Sequence, residues 1–295
     1  MFSKFNDLSN NHKGIMLALL GVLILTPDTL FMRLSELERW QMVGWRGVLM
    51  SITLFLIWLL LMKPNIKSEI LSLFSIPGCL VILAMALNHI NFTLGVAETS
   101  IMVVLTALAT MPLFAAVFSS FLLNEKQPII GWVILIIAML GIGLVVNDGS
   151  NAANIPNGSV ILGSVYGLMT AIGLAFTFTL ARKYPDLGVI PATVLASLSS
   201  GVFAFYISPV TGIDFSAPIS VFMMGVIISP FSFALLLIAP KYTQASMVSL
   251  IMLLEMVLGP LWVWLGIGEI PTITMISGSL LVLLSIVAYI RLSES

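Results

Sequence analysis

Three charged residues stand inside otherwise apolar stretches of this chain: Asp28, Arg46 and Glu255. A charge at the centre of a bilayer costs at least ~2.5–3.5 kcal/mol on insertion scales, so each one that persists needs a partner or a task. A buried arginine can hold an anionic group, and a carboxylate can meet an amine or carry a proton. Asn88, His89 and Asn91 form a second polar group within NHIN, and His89 can change charge near neutral pH. Tyr166, Trp45, Trp262 and Trp264 add amphipathic rings that can line a vestibule or anchor at the interface. The chain has no G-x-x-x-x-G-K-[ST] stretch for nucleotide phosphates. Two histidines, one of them His12 near the N-terminus, and one cysteine, Cys79, are too few for a membrane-embedded enzyme, which needs convergent His, Asp or Cys groups. Neither an enzyme nor a cofactor or metal is therefore expected.

The elements that must position these groups are set by composition. Of 295 residues 59% are hydrophobic and only 8% charged, with mean hydropathy +1.13. Soluble domains carry roughly 25% charged residues, so the chain is an integral membrane protein. A net charge of -1 excludes the basic field that nucleic acid would need. A membrane helix needs about 20 mostly apolar residues. Candidate spans lie at 15–34, 41–62, 73–95, 99–123, 129–147, 159–181, 189–210, 219–240, 245–267 and 272–291. The first 14 residues read as a cytoplasmic tail, with span one retained because no small-residue cleavage pattern follows it. The stretch Ile66 to Phe74 fits either an interfacial helix or the start of span three.

An internal repeat fixes the architecture. A shift of 146 places Ser100 on Ser246, and a shift of 144 places Glu125 on Glu269 and Gly141 on Ser285. The predicted fold is all-α with ten transmembrane helices, as two five-helix repeats at 15–147 and 159–291 joined by a polar linker, 148–158. Five is odd, so the second repeat enters from the opposite side and the repeats are inverted, as in many transporters. With a cytoplasmic N-terminus, nine basic residues fall inside: Lys4, Lys13, Lys63, Lys67, Lys126, Arg182, Lys183, Lys241 and Arg291. Arg33 and Arg39 alone fall outside, so both termini are expected in the cytoplasm. Gly131, Gly141, Gly143 and Gly278 are expected to let spans five and ten approach, within a protomer or across a homodimer.

Depth assigns the polar residues. At 1.5 Å per residue Asp28 lies roughly 20 Å from the inner face and Arg46 roughly 9 Å from the outer one, so they share a level. They can form an ion pair that staples spans one and two, or Arg46 can face a cavity and hold a substrate anion with Asp28 as counter-charge or proton site. Pro27 breaks the helix beside them, which is tolerated only against protein or water. Glu255 lies near the midplane, where substrate and coupling-ion sites are found in inverted-repeat carriers. The shifts put Ala234 opposite Asn88, Leu235 opposite His89 and Met111 opposite Glu255. Residues that break the repeat's symmetry are better substrate candidates than those that keep it. Glu125 and Glu269 keep it, and read as interfacial caps or gate partners.

Each half resembles the EamA-type domain of the drug/metabolite transporter superfamily. The first half carries Glu98-Thr99-Ser100, Pro112, Leu123-Asn124-Glu125 and Gly141, with Ile134 where a glycine is usual. The second carries Ala245-Ser246, Gly266-Ile267-Gly268-Glu269 and Gly278, with Ser285 at the second glycine. The usual Glu-Pro pair is replaced by Met111-Pro112 and by Glu255-Met256, with Pro260 displaced. Arg46 matches an arginine common in the family's second span, and Arg182-Lys183 match the basic end of span six. The resemblance implies a bacterial inner-membrane secondary transporter working by alternating access. It implies a small polar or zwitterionic solute, such as an amino acid or derivative, with export the commoner direction. The expected site is Arg46, Asn88, His89, Glu255 and Asp28, with Tyr166 and Trp264, and the expected partners are the solute, protons and lipid. The alternative is an importer or exchanger of a cationic or nucleoside-like metabolite, in which the acidic residues dominate.

Overall fold

The computed structural model describes residues 9–62, 65–124, 158–209 and 217–293, with positions 133, 136–137, 140–141, 143–145 and 147. Among them, eight helices are long and apolar enough to cross a membrane: Asn10–Leu34, Arg39–Leu60, Ile76–Glu98, Ile101–Leu123, Val160–Lys183, Val189–Ile207, Pro218–Lys241 and Met247–Ile267. These occupy the places of spans one to four and six to nine. A further helix, Ile273–Ser293, occupies that of span ten. Of span five only helical positions such as Gly141 and Val145 are described. Glu125, Gly131, Ile134 and the linker up to residue 157 lie outside the described residues, as do residues 1–8. The apolar helices make this a multi-pass membrane protein.

Two boundaries differ from expectation for capping reasons. Span one begins at Asn10, inside the expected tail, because the Ser9 hydroxyl accepts the His12 N–H and starts the helix before the apolar run. The open stretch after span two is a separate helix, Ile66–Leu73. Asn65 caps its start by accepting the Ser68 N–H, and Ser75 then caps Ile76–Glu98 by accepting the Gly78 N–H with Pro77 in the first turn.

Several spans are interrupted at depth. Span one breaks at Thr26-Pro27, between helices Asn10–Leu25 and Asp28–Leu34. Span four breaks at Ala109-Thr110, ahead of Pro112, and span nine at Met252, where no proline accounts for it. Spans two and eight contain π-helical turns, Ile57–Leu61 and Met223–Ile228.

The packing has the symmetry of the repeat. Span three packs on span six, and span one on span eight, its equivalent pair. Span six also meets span four, as span one meets span nine. Spans two and seven form a pair that maps onto itself, as do four and nine. Within the last pair Ile101–Leu108 lies against Leu253–Ile267, and Ala245–Ile251 against Met111–Leu123. The leading half of each meets the trailing half of the other, so these two spans cross antiparallel.

Small residues permit the closest approaches, since helices in lipid gain little hydrophobic drive from association. A Cβ on Gly47 would sit 2.6 Å from the Ser197 carbonyl oxygen and 2.9 Å from Gly201 Cα, so the backbones of spans two and seven touch. A Cβ on Gly278 would sit 2.8 Å from the Gly141 carbonyl oxygen, so helix Ile273–Ser293 rests on the described part of span five. Gly143, expected in the same contact, faces nothing within 4 Å among the described residues.

Candidate functional site

The breaks and polar residues converge on one small interior cavity. Span one supplies Leu25, the last residue before its break, and span two supplies Arg46. Span three supplies Asn88, His89 and Phe92, while spans four and nine supply Leu108 and Met252, each at a break. Thr170, Leu174, Phe233 and Glu255 complete the wall. Every lining residue is at most 7% exposed, so the chamber is shut off from both faces.

Arg46 is the cationic pole. Its Nη2 donates to Asp28 Oδ2 at 2.8 Å, with Asp28 0% and Arg46 2% exposed, and the pair bridges spans one and two. Asp28 does not line the cavity: its Oδ1 accepts the Ser229 hydroxyl of span eight at 3.1 Å. Both oxygens are thus engaged on the far side of the arginine. Arg46 Nε is buried and makes no hydrogen bond among the described residues, while the guanidinium stacks 5.5 Å from the Phe92 ring centre.

Glu255 is the anionic pole. It lies in the first turn after the Met252 break, 2% exposed, and neither carboxyl oxygen has a hydrogen-bond partner among the described residues. Asn88 Oδ1 and His89 Nε2 are likewise buried without a partner. The His89 ring lies 5.8 Å from that of Phe233, inclined at 34°. Buried polar atoms are nearly always satisfied, so several bare ones on one cavity mark a place built to receive a polar guest.

The structure therefore brings Arg46, Asn88, His89 and Glu255 to one cavity with Asp28 behind Arg46. Tyr166 and Trp264 do not line it. Tyr166 lies one turn from Thr170 and packs on the cluster of Val43, Leu94 and Ala204. Trp264 is nine residues past Glu255, about 180° around the helix, and 48% exposed. Trp262, seven residues on and roughly in line with Glu255, donates instead to the Thr26 hydroxyl at the span-one break, 3.2 Å away. Asn91 is half-buried and off the cavity; Asn88 and Phe92, four apart, share the lining face. Sequence reasoning missed Phe92, Thr170, Phe233 and Ser229. Ser229-Pro230 in an apolar run was the one visible signal for the last, whereas the rings and Thr170 are indistinguishable from packing residues.

Polar ties close both ends. On the face expected to be outer, Arg33 Nη2 donates to the Thr99 carbonyl at 2.6 Å, and Arg33 Nε lies 3.6 Å from Glu269 Oε2. Glu269 Oε1 accepts the Ile101 N–H at 3.2 Å, capping helix Ile101–Leu108 from the opposite repeat. Arg39 pairs with Glu98, which also accepts the Ser159 N–H at 3.2 Å. On the other face Trp58 Nε1 donates to Glu69 at 2.7 Å, Gly188 N–H to the Ser72 hydroxyl at 3.0 Å, and Lys241 to the Leu187 carbonyl at 3.0 Å.

The sequence model of the EamA-like transporter family matches residues 12–147 and 161–291. A comparison with curated proteins returned no match. Among solved structures, one titled "Crystal structure of protein" aligns over 96% of this chain and 98% of its own, with a TM-score of 0.67 at 14% identity. That likeness concerns the fold alone.

Proposed function

Because the chain belongs to the EamA-like transporter family, whose members move small molecules across membranes, we propose that it is a ten-helix secondary carrier built from two inverted repeats. Its solute is a small zwitterionic metabolite, an amino acid or derivative, and its direction is export across a bacterial inner membrane with both termini cytoplasmic. The observation that carries this reading is the pairing of a bare Arg46 Nε with a bare Glu255 carboxyl across one buried cavity. A solute carboxylate meets Arg46 and its amine meets Glu255, while Asn88 and His89 fix its orientation. Phe92, Phe233, Leu108 and Met252 give the largely apolar wall that small-molecule sites commonly have.

Alternating access follows from the broken spans. Leu108 and Met252 stand at the interruptions of the crossed spans four and nine, so bending there opens one mouth while the ties at the other hold. Glu255 carries a proton when the amine has left, which couples transport to the proton gradient. A second reading, transport of a cationic metabolite, rests on Glu255 having both oxygens free while Arg46 already has a partner.

Purified protein in liposomes decides between them. Saturable counterflow of labelled neutral amino acids, lost in Arg46→Met and Glu255→Gln, is the expected result. Non-saturable flux excludes a carrier, and transport of amines that survives Arg46→Met establishes the cationic reading instead.

A further inference from the structure

We propose that Ser229 is a positioning residue for solute binding: through Asp28 it fixes the guanidinium of Arg46, so the second repeat controls the anion-binding group of the first. The inference rests on the reading above that Arg46 meets a solute carboxylate.

The geometry runs through three spans. The Ser229 hydroxyl donates to Asp28 Oδ1 at 3.1 Å, and Asp28 Oδ2 accepts Arg46 Nη2 at 2.8 Å. Ser229 and Asp28 are both 0% exposed, so no solvent competes for these bonds. Asp28 heads helix Asp28–Leu34 directly after the Pro27 break, and a carboxylate held on one oxygen alone keeps freedom about its terminal torsion. The Ser229 bond removes that freedom. The guanidinium is then held at one end by Asp28 and on one face by Phe92, and Nε is left bare on the cavity-lining side chain.

Span eight is shaped to make this contact. Ser229 directly follows the π-helical turn Met223–Ile228. Such a turn inserts a residue into the helix and rotates the residues downstream of it, and π-turns are frequent at functional sites. Within it, a Cβ on Gly225 would lie 2.8 Å from Leu49 Cβ, so the bare glycine lets span eight close on span two. Leu49 is three residues from Arg46, on the same helical face. The turn also packs on helix Asp28–Leu34. Movement of span eight during alternation therefore changes how Asp28 holds Arg46, and with it the grip on the solute's anion.

The test uses the full chain in liposomes and neutral amino acids, each paired with its decarboxylated amine, taking the amino acid with the highest wild-type flux. Ser229→Ala should raise KM for the amino acid about threefold to tenfold, the range for losing one buried hydrogen bond, with kcat nearly unchanged. KM for the amine should not move. Ser229→Thr, which keeps the hydroxyl, should restore KM. Equal losses for acid and amine, or no loss for either while Arg46→Met abolishes transport, overturn the inference alone. Full amino acid transport by Arg46→Met overturns the underlying reading and the inference with it.

Discussion

Replacing Asp28 by Asn removes a charge but little volume, and leaves an oxygen to accept the Ser229 hydroxyl. What it takes away is the carboxylate hydrogen-bonded to a guanidinium that is 2% exposed. At 2.8 Å the Coulomb attraction is about 6 kcal/mol for an effective dielectric of ~20. Part of that offsets desolvation in the native pair, and breaking a buried pair from one side costs about 3–5 kcal/mol. The ratio of folded to unfolded protein should fall by roughly two to three and a half decades at fixed denaturant. Unfolding in mixed detergent, followed by tryptophan fluorescence, reads this directly. The double variant Asp28→Leu/Arg46→Met removes both charges and should return stability to within about 1 kcal/mol of the wild type. Transport should stay absent in the double variant, which separates the stapling role from the binding role. A loss below about 1 kcal/mol in Asp28→Asn would refute the reasoning, because Arg46 would then be solvated or paired by another route.

Glu255→Gln should leave stability within about 1 kcal/mol, since the carboxyl has no hydrogen bond among the described residues to lose, while abolishing transport. Unchanged flux with unchanged pH dependence would remove Glu255 from coupling. Glu269→Gln should cost at most about 1 kcal/mol, as its pair with Arg33 is part-exposed. In a Cys79→Ser background it should speed labelling of Met102→Cys, at a position that lines a cleft together with Glu269, by an impermeant maleimide from the Glu269 face; an unaltered rate would mean that this tie does not gate. Gly47→Ala should destabilise by about 1–3 kcal/mol, because its Cβ meets backbone at 2.6 Å, whereas Gly143→Ala, with nothing within 4 Å among the described residues, should stabilise by about 0.5–1 kcal/mol. Equal effects from the two glycines would show that the close contact of spans two and seven is absent.

The spans were legible because lipid imposes one rule, that apolar runs of about 20 residues be helical. The polar half of the cavity was legible for the same reason: in an 8% charged chain, Asp28, Arg46 and Glu255 stand out against their surroundings. Subtracting one repeat from the other pointed to Asn88, His89 and Glu255, and these do share a cavity. The apolar half was not legible, because Phe92 and Phe233 are chemically the same as phenylalanines that face lipid. Trp262 and Trp264 are the same residue type, and only helical phase, which puts Trp262 near the face of Glu255 and Trp264 opposite it, tells them apart. The π-turn before Ser229 left no mark in composition, and its packing on Leu49 and helix Asp28–Leu34 is visible only in three dimensions.

The central claim is that one solute lies between Arg46 and Glu255. Equilibrium binding of a transported, labelled amino acid to detergent-solubilised protein tests it most directly. Wild-type protein should bind one solute per chain saturably, and Glu255→Gln and the double variant Asp28→Leu/Arg46→Met, which leaves no lone buried charge, should each weaken binding at least about tenfold while remaining folded. Undiminished binding by both variants would contradict the account and put the solute elsewhere.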